Sequence, residues 1–236
     1  MKLGFVVTSA INTRFGVFST EERIQQTIDT ITSIRARCPG AVVALLEMAG
    51  ESLKPEQQEV LQPHVDILIN FSNDVIVKEI YKNPNWDVVK SSTEMMCFES
   101  AIRILHTNHL FDDVTRVVKV SGRYLLNEDF NPVDYEDVAD KIVFAVKRDS
   151  QFTAQITGGV SKQFMSRCWS FPRTMMVEMA NTFHAMQLCM RTIVQNGGYL
   201  DIEHLLFLYI STNKYVEFDK IGVQGLLGPN GTVVRD

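Results

Sequence analysis

The sequence predicts an α/β protein: a mainly parallel sheet with helices on both faces and an antiparallel addition toward the C-terminal end. Three observations carry this. Short, nearly continuous apolar runs recur, as in Leu3 to Val7, Ala41 to Leu46 and Val117 to Val120, and strands covered on both faces read this way. The segments between them place apolar residues at helical spacing. After Pro132 the strands follow one another too closely for crossover helices, which calls for antiparallel neighbours.

Residues 2–9 open the chain as a buried strand, and the loop from Thr8 to Phe18 follows. That loop holds Asn12, Thr13, Arg14 and Gly16 but neither a GxGxxG turn nor a Walker A sequence, so it supports neither a dinucleotide site nor P-loop chemistry. Ser19 and Glu22 make a capping box. The helix behind it buries Ile24, Ile28, Ile31 and Ile34 and stops at Cys38-Pro39-Gly40. Residues 41–48 are a second strand with Glu47 at its carboxyl end. Pro55 opens a short helix that ends near Pro63, and Val65 to Phe71 is a third strand. Residues 75–86 read as irregular. A long helix from about Asp87 to His106 buries Met95, Phe98, Ile102 and Leu105, with Lys90 and Glu94 four apart on another face.

Residues 116–121 form the fourth strand, ending in Ser121-Gly122-Arg123-Tyr124. Lys141 to Lys147, Phe152 to Thr157 and Lys162 to Ser170 read as further strands. Pro172 opens a helix with Met176, Met179, Phe183, Met186, Met190 and Ile193 on one stripe, and Gly197-Gly198 stops it. Residues 200–211 are another helix, and Tyr215 to Val234 reads as short strands with turns. With no repeat and no low-complexity linker, the expectation is one domain over 1–236, with a first half to about 125 and a second from about 126.

Composition narrows the function. The 236 residues are 45% hydrophobic and 22% charged, with a net charge of −5. No global field draws the chain to nucleic acid or anionic lipid. The four cysteines, Cys38, Cys97, Cys168 and Cys189, form no CxxC pair, so neither structural zinc nor a disulfide framework is expected. The apolar start is too short for a signal peptide and no run is long enough to span a bilayer, so the expected location is cytoplasmic. No nucleophile-elbow sequence is present for a serine hydrolase.

In an α/β sheet, ligands bind outside the carboxyl ends of the strands. Ser121, Gly122 and Arg123 stand there, and Arg123 is the main candidate for a phosphorylated ligand, with Gly122 allowing close backbone approach. Lys90 and Lys119 are supporting cations. Thr8, Ser9 and Arg14 follow the first strand and Glu47 the second; these are candidates for contacts to a nucleotide, with Asp74 a further one. Asp201 and Glu203 begin a late helix, where the helix dipole already favours carboxylates. Helical spacing puts them on different faces. Phe164, Trp169 and Phe171 read first as core, with a platform for a sugar as the alternative.

The order of these elements resembles the GT-A type of nucleotide-sugar glycosyltransferase, whose fold is Rossmann-like. The motifs that carry the likeness are Thr8-Ser9-Ala10, Glu47, Lys90 to Glu94, Lys119-Val-Ser-Gly-Arg-Tyr124 and Asp201-Ile-Glu203-His204. The resemblance implies a transferase that moves a sugar from a nucleotide-diphosphate donor to a hydroxyl of a glycan or small acceptor. It implies a catalytic carboxylate at Glu203, with Asp201 beside it. The family commonly holds Mn²⁺ or Mg²⁺ with Asp-x-Asp after the fourth strand. This chain has no Asp-x-Asp, which leaves Asp129, in Asn127-Glu128-Asp129, as the candidate metal ligand. The competing readings are a nucleotidyltransferase, which usually carries a Gly-rich signature after the first strand, and a non-catalytic carbohydrate-binding or scaffold relative.

Overall fold

Side chains alternate across a strand, and the first strand uses both faces for core. Val6 packs on one side of the sheet, Phe5 and Val7 on the other. A computed structural model describes residues 1–236. In chain order the elements are β1 (Leu3–Ser9), α1 (Thr20–Arg37), β2 (Val42–Glu47), α2 (Pro55–Leu61), β3 (Ile67–Asn70), α3 (Val75–Ile80), α4 (Trp86–Thr107) and β4 (Arg116–Ser121). Then come β5 (Tyr124–Leu126), β6 (Ile142–Ala145), β7 (Arg148–Asp149), α5 (Ala154–Thr157), β8 (Lys162–Gln163) and β9 (Cys168–Pro172). The chain closes with α6 (Met176–Gln195), α7 (Ile202–Tyr209), β10 (Tyr215–Phe218), β11 (Val223–Leu226) and β12 (Val233–Arg235).

Seven strands form the main sheet in the order β10-β6-β9-β4-β1-β2-β3. β1 pairs in parallel with β2 and β4, β2 with β3, and β6 with β10. β9 alone runs antiparallel, between β4 and β6. α4, α6 and α7 cover one face and α1 the other. The α4 stripe of Met95, Phe98, Ile102 and Leu105 is fully buried, as the spacing predicts. The Ser19–Glu22 capping box is formed. A small antiparallel sheet, β5-β11-β12, lies apart from the main one.

Three sequence expectations fail locally. Lys162 to Ser170 is not one strand but β8 and the start of β9, which belong to different sheets. Residues 75–86 include a helix, α3, which the Asp74 side chain caps by accepting from the Ile76 and Val77 N–H groups. That use of Asp74 replaces its expected nucleotide contact. Phe152 to Thr157 is not a strand: residues 154–157 make a single helical turn, ended by Gly158 at φ 63°.

Phe164, Trp169 and Phe171 are core, as first expected, and form no sugar platform. Trp169 is 1% exposed and stacks on Phe171 and Phe183 at centroid distances of 5.4 and 5.9 Å. Phe164 stacks on Phe144 at 4.2 Å. No helix is long and apolar enough to cross a membrane. All four cysteines are free thiols.

Candidate active site

A cavity of about 720 Å³ opens at the carboxyl ends of β1 and β4, within the size range of small-ligand sites. Ser9 and Ser121 bring the strand ends to it. The loop after β1, the first turn of α4, the start of α7 and residues 227–229 supply the walls. The β1 loop is built to hold its shape. Arg23, on α1, donates to the carbonyls of Phe15 (2.8 Å) and Phe18 (3.3 Å), and Val17 N–H donates to Gly228 O at 3.1 Å. Gly16 sits there at φ 89°, where other residues are strained.

The cations fall into two groups. Arg14 and Arg23 are engaged with backbone carbonyls, and Arg148 and Arg167 are both ion-paired to Asp236. Lys90 and Arg123 line the cavity without an ion-pair partner. Lys90 keeps much of its surface in contact with solvent; the desolvation of its ammonium by the crowded cavity wall is outweighed by Glu203, Glu94 and Asp201, which hold its pKa above the ordinary value. The Arg123 guanidinium lies against Gly228, and its buried Nε has no hydrogen-bond partner. The rest of the side chain lines the cavity with no acceptor in the protein, and a guanidinium left free in this way suits an anion.

Asp201 and Glu203 both reach this cavity, although helical spacing sets them apart. The reason is that Asp201 is not helical. It is the N-cap of α7, with φ −80° and ψ 176°, and its Oδ1 accepts from the N–H groups of Glu203 and His204, both at 3.0 Å. The fully buried His204 imidazole adds Nδ1 at 2.6 Å from the same oxygen, with Nε2 2.8 Å from Ser150 Oγ. Burial alone would raise the Asp201 carboxyl; the His204 contacts hold it below the usual carboxylate range. Glu203 is held by one oxygen only. Its Oε1 accepts from Ser166 N–H (3.2 Å) and Ser166 Oγ (2.9 Å), and no protein group satisfies Oε2.

Beneath the floor lies a hub. The two-residue period of β4 turns Val118 and Val120 to the α1 face and Lys119 to the α4 face. There Lys119 Nζ, 1% exposed as a residue, meets Glu94 Oε1 at 2.5 Å, Ser121 Oγ at 2.8 Å and Ser166 O at 2.6 Å. One ammonium thus fixes the end of β4, the Ser166 turn that holds Glu203, and the Glu94 of α4. Lys119 serves as a positioning residue rather than the phosphate ligand expected of it.

Several expected roles are corrected. Glu47 does not face the cavity. It is 0% exposed and its carboxylate accepts from Ser9 Oγ (2.5 Å), Ile11 N–H (3.0 Å) and Ala49 N–H (3.0 Å), so it ties the loops after β1 and β2 together. The Ser9 hydroxyl is spent on that contact. Thr8 lines the cavity, while its carbonyl receives Gly122 N–H at 2.8 Å. Gly122 therefore serves backbone packing, not ligand approach: a Cβ there would lie 3.1 Å from Thr8 O and from Thr27 Oγ1. Arg14 and Ser121 line the cavity as expected.

Asp129 is far from these groups in role. It pairs with Arg235 at 2.6 Å and Lys220 at 3.5 Å, in a separate surface depression. No group of three or more His, Cys, Asp or Glu side chains is arranged to hold a metal ion.

Residues the sequence did not single out complete the walls: Tyr81, Asp87, Ser166 and the Leu227-Gly228-Pro229 turn among them. Only Asp87 left a trace, as a carboxylate at the start of an amphipathic helix.

No protein-family model matches the chain, and a search of curated proteins finds no match. Solved structures do match. Core-mannan synthase A from Aspergillus fumigatus, crystallised in an Mn/GDP form, aligns over 95% of this chain and 74% of its own, with a TM-score of 0.51 and 9% identity. At that identity the likeness concerns architecture: the chain has a GT-A-like fold, as a seven-stranded, mostly parallel sheet with helices around it and extra antiparallel strands.

Proposed function

We propose that this protein transfers a sugar from a nucleotide-diphosphate donor to an acceptor hydroxyl. One observation carries the reading. In a GT-A-like fold, two unpaired cations, Lys90 and Arg123, share a cavity at the strand ends with the half-satisfied carboxylate of Glu203. Glycosyl transfer needs both charges. The acceptor oxygen bonds to the anomeric carbon while its proton passes to a base, a role that fits Glu203 Oε2. The bond from the anomeric carbon to the donor phosphate breaks, and its electron pair leaves with the nucleoside diphosphate. Arg123 and Lys90 offset that developing charge.

The structural neighbour was crystallised with Mn and GDP. Here the residues ending β4 are Ser121, Gly122 and Arg123, and the acidic side chains near the cavity do not form a cation cage. The cavity thus has no preformed cation cage, and we assign the phosphate charge to the arginine and the lysine.

Titration with UDP-, GDP- and dTDP-sugars, with and without Mn²⁺, should give saturable binding for at least one; binding of none overturns the reading. Arg123→Ala removes a charge-assisted contact of about 1.5–3 kcal/mol, so affinity should fall roughly 10- to 150-fold. Its melting temperature should stay near that of the parent, because the side chain makes no hydrogen bond within the protein.

A further inference from the structure

The chain has two tryptophans, and the fold treats them oppositely. Trp169 is 1% exposed in the core, whereas Trp86 is 41% exposed and lines the cavity. Leaving an indole open to water forgoes a large apolar burial, so its place in a cavity wall calls for an occupant. Its position is fixed. Trp86 is the first residue of α4, whose N-cap Asn85 accepts from the Asp87 and Val88 N–H groups at 3.0 and 3.4 Å. Arg14 donates to Asn83 O at 2.8 Å and ties the preceding turn to the β1 loop.

Asp87 stands beside it in the same wall, with no hydrogen bond or ion pair to its carboxylate. Burial raises its pKa; Lys90 opposes that, while Asp201 and Glu203 reinforce it. These neighbours place Asp87 at the Glu203 end of the cavity. The helix N-terminus accounts for a carboxylate at this position but not for the open indole. Nor does it account for Glu203, which is 8% exposed and leaves one oxygen unpaired in the same space.

We propose that Trp86 and Asp87 form a subsite for a carbohydrate acceptor, a pyranoside laid against the indole with hydroxyls directed to Asp87 and Glu203. A pyranose ring offers a face of C–H groups that suits the electron-rich face of an indole. Its hydroxyls are donors, and ionised carboxylates accept only. The same carboxylates repel phosphate-rich acceptors such as nucleic acid. The proposal rests on the glycosyl-transfer reading for its function, but the subsite itself can be tested apart from it.

Because Trp169 is sealed in the core, a collisional quencher such as acrylamide reads Trp86 almost alone. Methyl glycosides of glucose, galactose, mannose and N-acetylglucosamine, with a serine-containing peptide as the non-sugar probe, are titrated against the full chain. At least one glycoside should shield Trp86 saturably, and the peptide should not. By saturation-transfer NMR, Trp86→Ala should weaken that glycoside about tenfold, while Trp86→Phe keeps most of the affinity. Calorimetry should show nucleotide-sugar affinity unchanged in both variants. No shielding by any glycoside, shielding by the peptide alone, or undiminished glycoside binding in Trp86→Ala overturns the proposal. If glycosides bind but no nucleotide sugar does, the transfer reading fails and the subsite stands. If the donor binds and no glycoside does, only the subsite falls.

Discussion

Glu203→Gln should lower turnover about 10²- to 10⁴-fold, the usual contribution of a general base, while donor affinity stays unchanged. The substitution keeps shape. Gln can still accept from Ser166 N–H and Oγ through its amide oxygen, as Glu203 Oε1 does at 3.2 and 2.9 Å. What it loses is a place for the acceptor proton. Release of nucleoside diphosphate under saturating donor measures the effect, and calorimetry measures donor binding. Asp201→Asn is the contrasting variant. Asp201 Oδ1 receives two backbone N–H groups and faces the His204 imidazole; Asn keeps an oxygen for the α7 cap but not the charge facing that buried ring, so the melting temperature should fall along with activity. Unchanged turnover in Glu203→Gln would remove Glu203 as the base.

Lys119→Met should produce the largest loss of stability. It strips Glu94 of the ammonium 2.5 Å away in a site where the two side chains are 2% and 5% exposed. Leaving one member of a buried pair uncompensated costs about 3–5 kcal/mol, which for a chain of this size lowers the melting temperature by roughly 6–20 °C. The sign of the pH dependence follows from Glu94. In the parent, burial would raise its carboxyl, but Lys119 and Lys90 hold it below its ordinary value. Its ionised form therefore adds stability above the unfolded carboxylate pKa and loses it as pH falls. Without Lys119 burial dominates and the carboxyl rises, so the variant's deficit should be greatest near neutral pH and shrink on acidification. The double variant Lys119→Met/Glu94→Gln should recover much of the loss, since no bare charge is left. If it regains stability without activity, the hub acts on the site through Ser121 Oγ and Ser166 O, which the ammonium contacts. Thermal melts from neutral to mildly acidic pH, set beside turnover, decide this; a single variant as stable as the parent overturns it.

What the residues revealed in advance was mostly local. β1, β2 and β4 announce themselves because both faces are covered, and the α1 capping box because its partners lie three residues apart. The candidate site was legible where strand ends alone place a residue, as with Ser121, Arg123 and Arg14. It was misread where a distant partner decides. Asp129 looks free in sequence until Arg235 arrives from the other end of the chain. Glu47 looks like a strand-end ligand until Ser9 and Ile11 close on it across the sheet. Phe152 to Thr157 has strand-like composition, but Gly158 at φ 63° closes a helical turn there. Asp201 and Glu203 meet because a cap residue escapes the helical spacing that separates them on paper.

The one antiparallel strand of the main sheet sets the order of assembly. β9 lies between β4 and β6, and it is made only after the eight strands that precede it. Until then one side of β4 is an open row of backbone donors and acceptors, the kind of edge that pairs with other chains. Lys119 spends that interval without Ser166, one of its acceptors, because Ser166 just precedes β9 in the chain and is made almost together with it. The floor of the cavity and the sealing of the sheet are therefore a single late event. Long-range pairing of this kind makes folding slow and leaves partly made chains open to aggregation.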